Sequence, residues 1–262
     1  MVRIAIAYFI IEKIKLRHSL GRPSRSDFAQ SEFAESEGIV ENRFMTYEEI
    51  RTNAEIEALI NKGNNNLGNL GYTEHGKAHG TLVAQRAAYV LEQLRFSEHD
   101  KELARIAGYM HDIGNAINRS HHAEYGALLA NSILEKTDIR LEDRITIMSA
   151  IGNHDESTGG AMDSVSAALI IADKTDVRRS RVREQQKSTF DIHDRVNYAV
   201  TKSNLIYSNE NKAFTLDLKL DTDICTMYEY FEIFLNRMMM CRGAAELLGV
   251  KFKLTANGSK IL

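Results

Sequence analysis

The sequence contains only two cysteines and one proline among its 262 residues. Cys225 and Cys241 lie sixteen residues apart, a spacing that matches neither a CxxC metal pair nor a disulfide framework. We therefore expect a reducing, cytoplasmic compartment. The single proline, Pro23, leaves the rest of the chain without this strong helix breaker, which favours a mostly helical protein.

Long apolar runs and an excess of positive charge are also missing. The apolar run at residues 4–11 is far shorter than the roughly 20 residues that a membrane span needs. No small-residue cleavage site follows it, so we expect neither an export signal nor an anchor. The net charge of −3 gives no strong basic field, so nucleic acid is not an expected partner.

The composition divides the chain into three segments. Residues 21–44 have few apolar anchors, so we expect 1–44 to be an N-terminal arm, poorly ordered or outside the true start at Met45. Residues 45–200 show helical periodicity, with helices expected over 46–61, 74–94, 100–111, 121–134, 141–153 and 163–183. Thr46 and Glu49 form a capping box, and residues 62–66 should break the first helix.

The last segment, residues 201–262, has a different pattern. Strand-like alternation over 203–208 and 213–220 flanks a polar turn, and a helix over 223–248 and a strand over 250–255 follow. This pattern predicts a small β-β-α-β unit. Its helix carries more apolar surface than three short strands would cover, so we expect a homodimer near this unit, with docking inside the chain as an almost equal alternative.

Six imidazole and carboxylate groups occur on successive predicted helices, each near a helix end or within an otherwise apolar helix: His79, His111, Asp112, His122, His154 and Asp173. Neutral imidazoles and carboxylates are ligands that divalent Mn, Fe or Zn accepts. Asp173 follows the apolar run 167–172, and a buried carboxylate is costly unless it is paired or bound to a metal. The pattern therefore predicts a metal site within a helical core.

This pattern resembles the HD superfamily of metal-dependent phosphohydrolases, whose H…HD…D signature corresponds to His79, His111-Asp112 and Asp173. The likeness covers residues 70–185. It implies a mainly α fold, an HD-domain helical bundle with the small C-terminal α+β unit appended. It also implies cleavage of a phosphoester or phosphoanhydride of a small phosphorylated metabolite or nucleotide, through attack by a metal-activated hydroxide.

Further elements resemble particular branches of the superfamily. The H-x-x-x-G element at 122–126 and the later His154 are similar to the two-metal branch. The group Asp173, Asp176 and Arg179 resembles the motif end of bacterial HD-type diadenosine tetraphosphate hydrolases. Asn115 replaces the lysine of cyclic-di-GMP phosphodiesterases of the HD-GYP type, and the GYP triplet is absent, which argues against that substrate.

The resemblance implies two divalent metal ions, which could be Mn, Fe, Co or Zn. One would be bound by His79, His111 and Asp173 and the other by His122 and His154, with Asp112 bridging them. His111 and Asp112 are thus the expected catalytic residues. For His122 the neighbouring His121 is the alternative, and Asp155 could orient a ligand.

Substrate contacts are less sharply indicated. We expect His75, Lys77, Asn115 and Arg179 to bind the substrate, although His75 could instead cap a helix. The arginines at 178, 179, 181 and 183 could instead form a solvated helix face or pair with acids such as Asp176, and we favour phosphate contact for Arg179 alone. Two alternative functions remain open: a di-iron oxygenase with the same ligand set, and a non-catalytic nucleotide sensor, against which the complete ligand set argues.

Overall fold

The computed structural model describes residues 46–183 and 191–261; the arm expected at residues 1–44, and Met45, lie outside them. The described helices are α1 Tyr47–Arg51, α2 Ala54–Asn69, α3 Lys77–Gln93, α4 Glu98–Met110, α5 His122–Leu134, α6 Leu141–Gly152, α7 Ser164–Lys174, α8 Ile192–Ala199 and α9 Met227–Leu247. Short 3₁₀ turns cover Ile113–Ala116 and Arg179–Arg181. None of these described helices is both long enough and apolar enough to cross a bilayer.

The C-terminal unit contains a four-stranded sheet formed by β1 Val200–Ser208, β2 Ala213–Leu220, β3 Lys251–Ala256 and β4 Ser259–Lys260. Strands follow one another in the order β1-β2-β3-β4. The β1–β2 and β3–β4 pairs are antiparallel, whereas β2 and β3 are parallel and are connected through α9. The predicted mainly α fold with a β-β-α-β unit is confirmed, although α8 and β4 were not predicted.

One continuous buried core joins the helices to the C-terminal unit. Val83 on α3, Ile106 on α4 and Leu169 on α7 are fully buried, as are Phe214 on β2 and Tyr230 on α9. Helix α9 packs against α7 and β3. The C-terminal unit therefore buries apolar surface within the chain, while the homodimer stays a prediction.

The first predicted helix starts where predicted but differs from the structure in its middle and at its C-terminal end. The capping box of Thr46 and Glu49 is confirmed, but the chain breaks after α1 and α2 then continues through Asn69. The predicted break at 62–66 is wrong because these residues pack on the 3₁₀ turn at 113–116. A Cβ at Gly63 would lie 3.1 Å from Asn115 Cβ, and the Asn66 amide donates to the carbonyls of Asn115 and Ala116.

The helix predicted over 163–183 ends at Lys174. The Thr175 hydroxyl donates to Ile171 O at 2.6 Å, and Asp176 turns inward to accept a hydrogen bond from His79 Nδ1 at 2.8 Å. Arg178 then pairs with the same carboxylate. The arginines beyond Lys174 therefore do not form a solvated helix face.

The buried carboxylate of Asp143 on α6 is hydrogen-bonded to His99 on α4. Asp143 accepts hydrogen bonds from His99 Nε2 at 2.8 Å and from the Arg140 guanidinium at 2.8 and 2.9 Å. Burial opposes ionisation of Asp143, but the bonds from Arg140 and His99 outweigh it and lower the pKa of this carboxyl. The ionised form is therefore the one that the fold stabilises.

Candidate metal centre

The six predicted ligands meet in one centre, although they come from five different parts of the helical core. His79 lies in the first turn of α3, His111 and Asp112 follow α4, His122 begins α5, His154 follows α6 and Asp173 lies near the end of α7. All four histidines are buried. Helix ends deliver most of these side chains, because a terminal residue can turn into the core without interrupting the helix.

Short distances connect the reactive atoms of the centre. His79 Nε2 lies 3.2 Å from His111 Nε2 and 3.2 Å from Asp173 Oδ1. Asp112 Oδ2 lies 3.2 Å from His111 Nε2, and its Oδ1 lies 3.7 Å from His122 Nε2. His122 Nε2 is in turn 3.2 Å from His154 Nε2. The Asp112 carboxylate thus lies between the His79–His111 pair and the His122–His154 pair.

Each ligand histidine is oriented through its other ring nitrogen. Nδ1 of His79 donates to Asp176 Oδ2 at 2.8 Å, and Nδ1 of His111 donates to Gly108 O at 2.8 Å. Nδ1 of the remaining two donates to backbone carbonyls, those of Arg119 for His122 and Ile151 for His154. A proton on Nδ1 leaves a lone pair on Nε2, which is the tautomer that binds metals. When all four imidazoles are neutral, the polypeptide therefore points four lone pairs inward.

This donor set fits a divalent cation. Two Nε2 lone pairs 3.2 Å apart repel each other unless positive charge lies between them. Asp112 Oδ2 is buried and makes no hydrogen bond in the described part of the chain, a cost that a metal ligand avoids. Two overlapping groups have their ligand atoms within 4.8 Å of one another, namely His79, His111, Asp173 and His111, Asp112, His154.

The electrostatics of the centre favour positive charge near its carboxylates. Burial lowers the pKa of His111, but Asp112 and Asp173 outweigh burial and raise it to about 10. Burial acts to raise the pKa of Asp112, yet His111 beside it holds that pKa well below its usual range. His154 is further from this negative charge, and burial together with His111 lowers its pKa to about 3. His154 is therefore a neutral imidazole near pH 7, the form that a metal requires.

A chain of alternating charges runs from the centre to the C-terminal unit. The Lys174 ammonium lies 2.8 Å from Asp173 Oδ2 and 2.6 Å from Glu156 Oε2. Arg237 on α9 then donates to Glu156 Oε1 at 3.0 Å. In the sequence, Lys174 directly follows Asp173 and the apolar run before it, so its burial could have been suspected. The charged residues at 156 and 237 resemble ordinary surface positions. Residues 201–262 therefore contact the centre indirectly, through Arg237.

The predicted substrate-binding residues have different surroundings. The His75 ring lies 5.5 Å from the His79 ring, and Asn115 is buried with its amide donating to Asp112 Oδ1 at 2.8 Å. Lys77 pairs with Glu57. Arg179 stacks on the Tyr198 ring at 4.4 Å and donates to the Tyr198 carbonyl. His75 and Asn115 thus lie at the centre, whereas the guanidinium of Arg179 is engaged by α8.

A cleft of about 460 Å³ opens beside the His122 end of the centre. Its lining includes Arg119, Ser120 and His122 on one side and Asp155, Glu156 and Ser157 on the other. Arg119 Nη1 lies 3.3 Å from His122 Nε2, so a cation stands at the mouth of the centre. Asp155 Oδ2 is 3.7 Å from His122 Nε2. Arg119 had no signal in the sequence, since a single arginine in a polar loop is common.

Comparison with known proteins agrees with this geometry. Residues 78–188 match the HD domain family. The chain is also 30% identical over 173 residues to an uncharacterized protein of Methanocaldococcus jannaschii, with 57% of this chain and 66% of the relative covered. The chain thus spans slightly less than two thirds of that relative.

Residues 78–188 therefore match an HD domain, as the H…HD…D signature predicted. HD domains bind divalent metals, and their superfamily consists largely of hydrolases. The narrower likeness to diadenosine tetraphosphate hydrolases is not confirmed by these comparisons.

Proposed function

We propose that the protein is a metal-dependent phosphohydrolase that cleaves a phosphoester or phosphoanhydride bond of a nucleotide-like metabolite. The observation that carries the proposal is the set of four inward-facing imidazole nitrogens around the Asp112 carboxylate, each fixed by a hydrogen bond on its far side. Such preorganised ligands lose little conformational entropy when they bind a cation. The HD domain over residues 78–188 supports the same class.

Two metal ions fit this ligand set best. His79, His111 and Asp173 would hold one ion, His122 and His154 the other, and Asp112 would bridge them. Divalent ions in such a site polarise water and neutralise phosphoryl oxygens. The protein's own side chains complete the site: the Asn115 amide orients Asp112 Oδ1, and the Arg119 guanidinium stands where it can hold phosphoryl charge.

Metal analysis combined with phosphate release tests this proposal. The full-length protein is prepared without chelator and assayed with a panel of nucleotides in the presence of Mn²⁺, Fe²⁺ or Co²⁺. We expect close to two metals per chain and release of phosphate or a nucleotide product. Oxygen uptake with an organic substrate and no phosphate release would instead indicate the oxygenase.

Matched variants separate the centre from general effects of substitution. Asp112→Asn should remove most activity and metal, because one carboxylate serves both ions. Asp138→Asn, at an exposed site outside the centre, should change neither quantity. Near-normal metal content and turnover in Asp112→Asn would contradict the proposal.

The adjacent histidines His121 and His122 give a second matched pair. His122 is buried in the centre, while the side chain of His121 is 65% exposed. Asparagine is used at both positions so that the two variants match. It is tolerated at His121, whose positive φ of 61° is one that Asn adopts. We expect His122→Asn to lose about one of two metals and His121→Asn to keep both.

A further inference from the structure

A second groove adjoins the cleft at the metal centre. It has a volume of about 630 Å³. It is lined by the last turn of α2 with the loop that follows, and by the first 3₁₀ turn with the loop that leads to α5. Arg119 and Ser120 line this groove as well as the cleft at His122. A molecule whose phosphate lies at the centre could therefore contact the groove with its other end, because the cleft and the groove are continuous at Arg119 and Ser120.

Three large apolar side chains are exposed in this groove. Leu70 is 63% exposed, Ile117 is 55% exposed and the Tyr72 ring is 44% exposed. Asn69 and Asn118 supply amide groups beside these side chains. Apolar and aromatic faces combined with a few amides match a planar heterocycle, which offers two π-faces and hydrogen-bonding edges.

The aromatic side of the groove is held in place before any ligand arrives. The backbone N–H of Tyr72 donates to Leu67 O at 2.9 Å, and Arg183 Nε donates to Tyr72 O at 2.9 Å. The Arg119 guanidinium lies 5.3 Å from the centroid of the Tyr72 ring. One cation thus contacts both the aromatic ring of the groove and His122 of the centre, which links the two parts of the surface.

We propose that this groove, around Tyr72, Leu70 and Ile117, binds the base of a nucleoside phosphate whose phosphoryl group lies at the metal centre. The proposal rests on the proposed phosphohydrolase function and adds the location of the specificity site. The Arg119 guanidinium would lie between base and phosphate and would contact the phosphate. Tyr72 would supply the aromatic surface against which the base packs.

Calorimetric titration of the full-length protein tests the groove apart from catalysis. The probes are adenosine 5′-monophosphate and ribose 5-phosphate, which differ in the base. The titration uses the metal-loaded protein at low temperature, and each probe is recovered afterwards to show that it was not hydrolysed. We expect the nucleotide to bind at least about fivefold more tightly, the lower end of what base–aromatic stacking supplies. Tyr72→Ala should remove most of this preference, while Tyr72→Phe should keep it. Tyr228→Ala, which removes an exposed tyrosine on α9, should also leave it unchanged.

Each outcome distinguishes the groove from the reaction. Equal affinity for the two probes, or equal weakening of both by Tyr72→Ala, would overturn the proposal. Hydrolysis of p-nitrophenyl phosphate without any base preference would keep the phosphohydrolase and reject the groove. Nucleotide binding that depends on Tyr72, without hydrolysis under any metal, would keep the groove and reject the reaction.

Discussion

Replacing Arg237 by methionine should destabilise the protein through Glu156. The Arg237 guanidinium donates to Glu156 Oε1 at 3.0 Å, and no other described cation except Lys174 is paired with that carboxylate. Removing one partner of a fully buried ion pair costs about 3–5 kcal/mol. The two side chains are each 24% exposed, and water screens part of the loss. We therefore expect the free energy of unfolding to fall by about 2 kcal/mol.

Urea denaturation of the chelator-treated protein measures this loss directly. A change of about 2 kcal/mol corresponds to a fall in melting temperature of about 4–8 °C for a chain of this size. Glu156→Gln should cost a similar amount, and the double variant should lose less than the sum by about 1 kcal/mol. Arg242→Met, on the same helix but with a 57% exposed side chain, is the matched control and should change stability by less than about 0.5 kcal/mol.

Metal affinity provides a second measurement. Without Arg237, the Lys174 ammonium is the remaining cation for Glu156, so it should hold Asp173 Oδ2 less firmly than at its present 2.8 Å. A carboxylate that Lys174 neutralises less attracts a cation more strongly, so we expect tighter metal binding in Arg237→Met but not in the Arg242→Met control. Unchanged stability, or losses that add fully in the double variant, would refute the argument that these charges act as one chain.

Three further predictions concern other parts of the molecule. The lowered pKa of Asp143 means that its ionised form stabilises the fold above the unfolded pKa near 4, and that this contribution is lost as the pH falls through the folded value. Asp143→Asn should therefore cost about 1–3 kcal/mol near neutral pH, and its deficit in denaturation experiments should shrink below about pH 4. Gly114→Ala should strongly reduce folding and metal content, because a Cβ there would lie 2.0 Å from His122 O, whereas Gly160→Ala meets nothing within 4 Å and serves as the control. If the predicted homodimer forms through the exposed face of α9, Leu235→Glu should give monomers in light scattering; a dimer that survives would place its interface elsewhere.

The candidate ligands could be selected from sequence because each is a conspicuous residue in a helical pattern. Asp173 interrupts an apolar run, and His111-Asp112 closes a strongly periodic helix. Their partners could not be predicted in the same way. The hydrogen bond between His79 and Asp176 spans 97 positions of sequence, and nothing near Arg237 indicates that its guanidinium is turned inward. Long-range pairing leaves no local periodicity.

The boundary errors have the same physical origin. Gly63 and Asn66 favour a turn by local propensity, yet packing against the 3₁₀ turn at 113–116 keeps them helical. Beyond Lys174, a charged sequence compatible with a helix is diverted by the Thr175 hydroxyl and the inward Asp176. Tertiary contacts overrode propensity at both places, as they commonly do when a segment adjoins a buried polar site.

The parallel pairing of β2 with β3 has a consequence for how newly made protein matures. Parallel neighbours cannot close through a tight hairpin, so α9 must traverse the sheet before β3 can pair. On the ribosome the histidines and aspartates of the centre emerge well before Arg237 and β3. The helical region can begin folding from its local contacts, whereas β3 becomes available only after α9 has been made. Glu156 thus gains its second cation only after α9 has emerged, so the surroundings of Asp173 are completed later than the helices that carry the histidines.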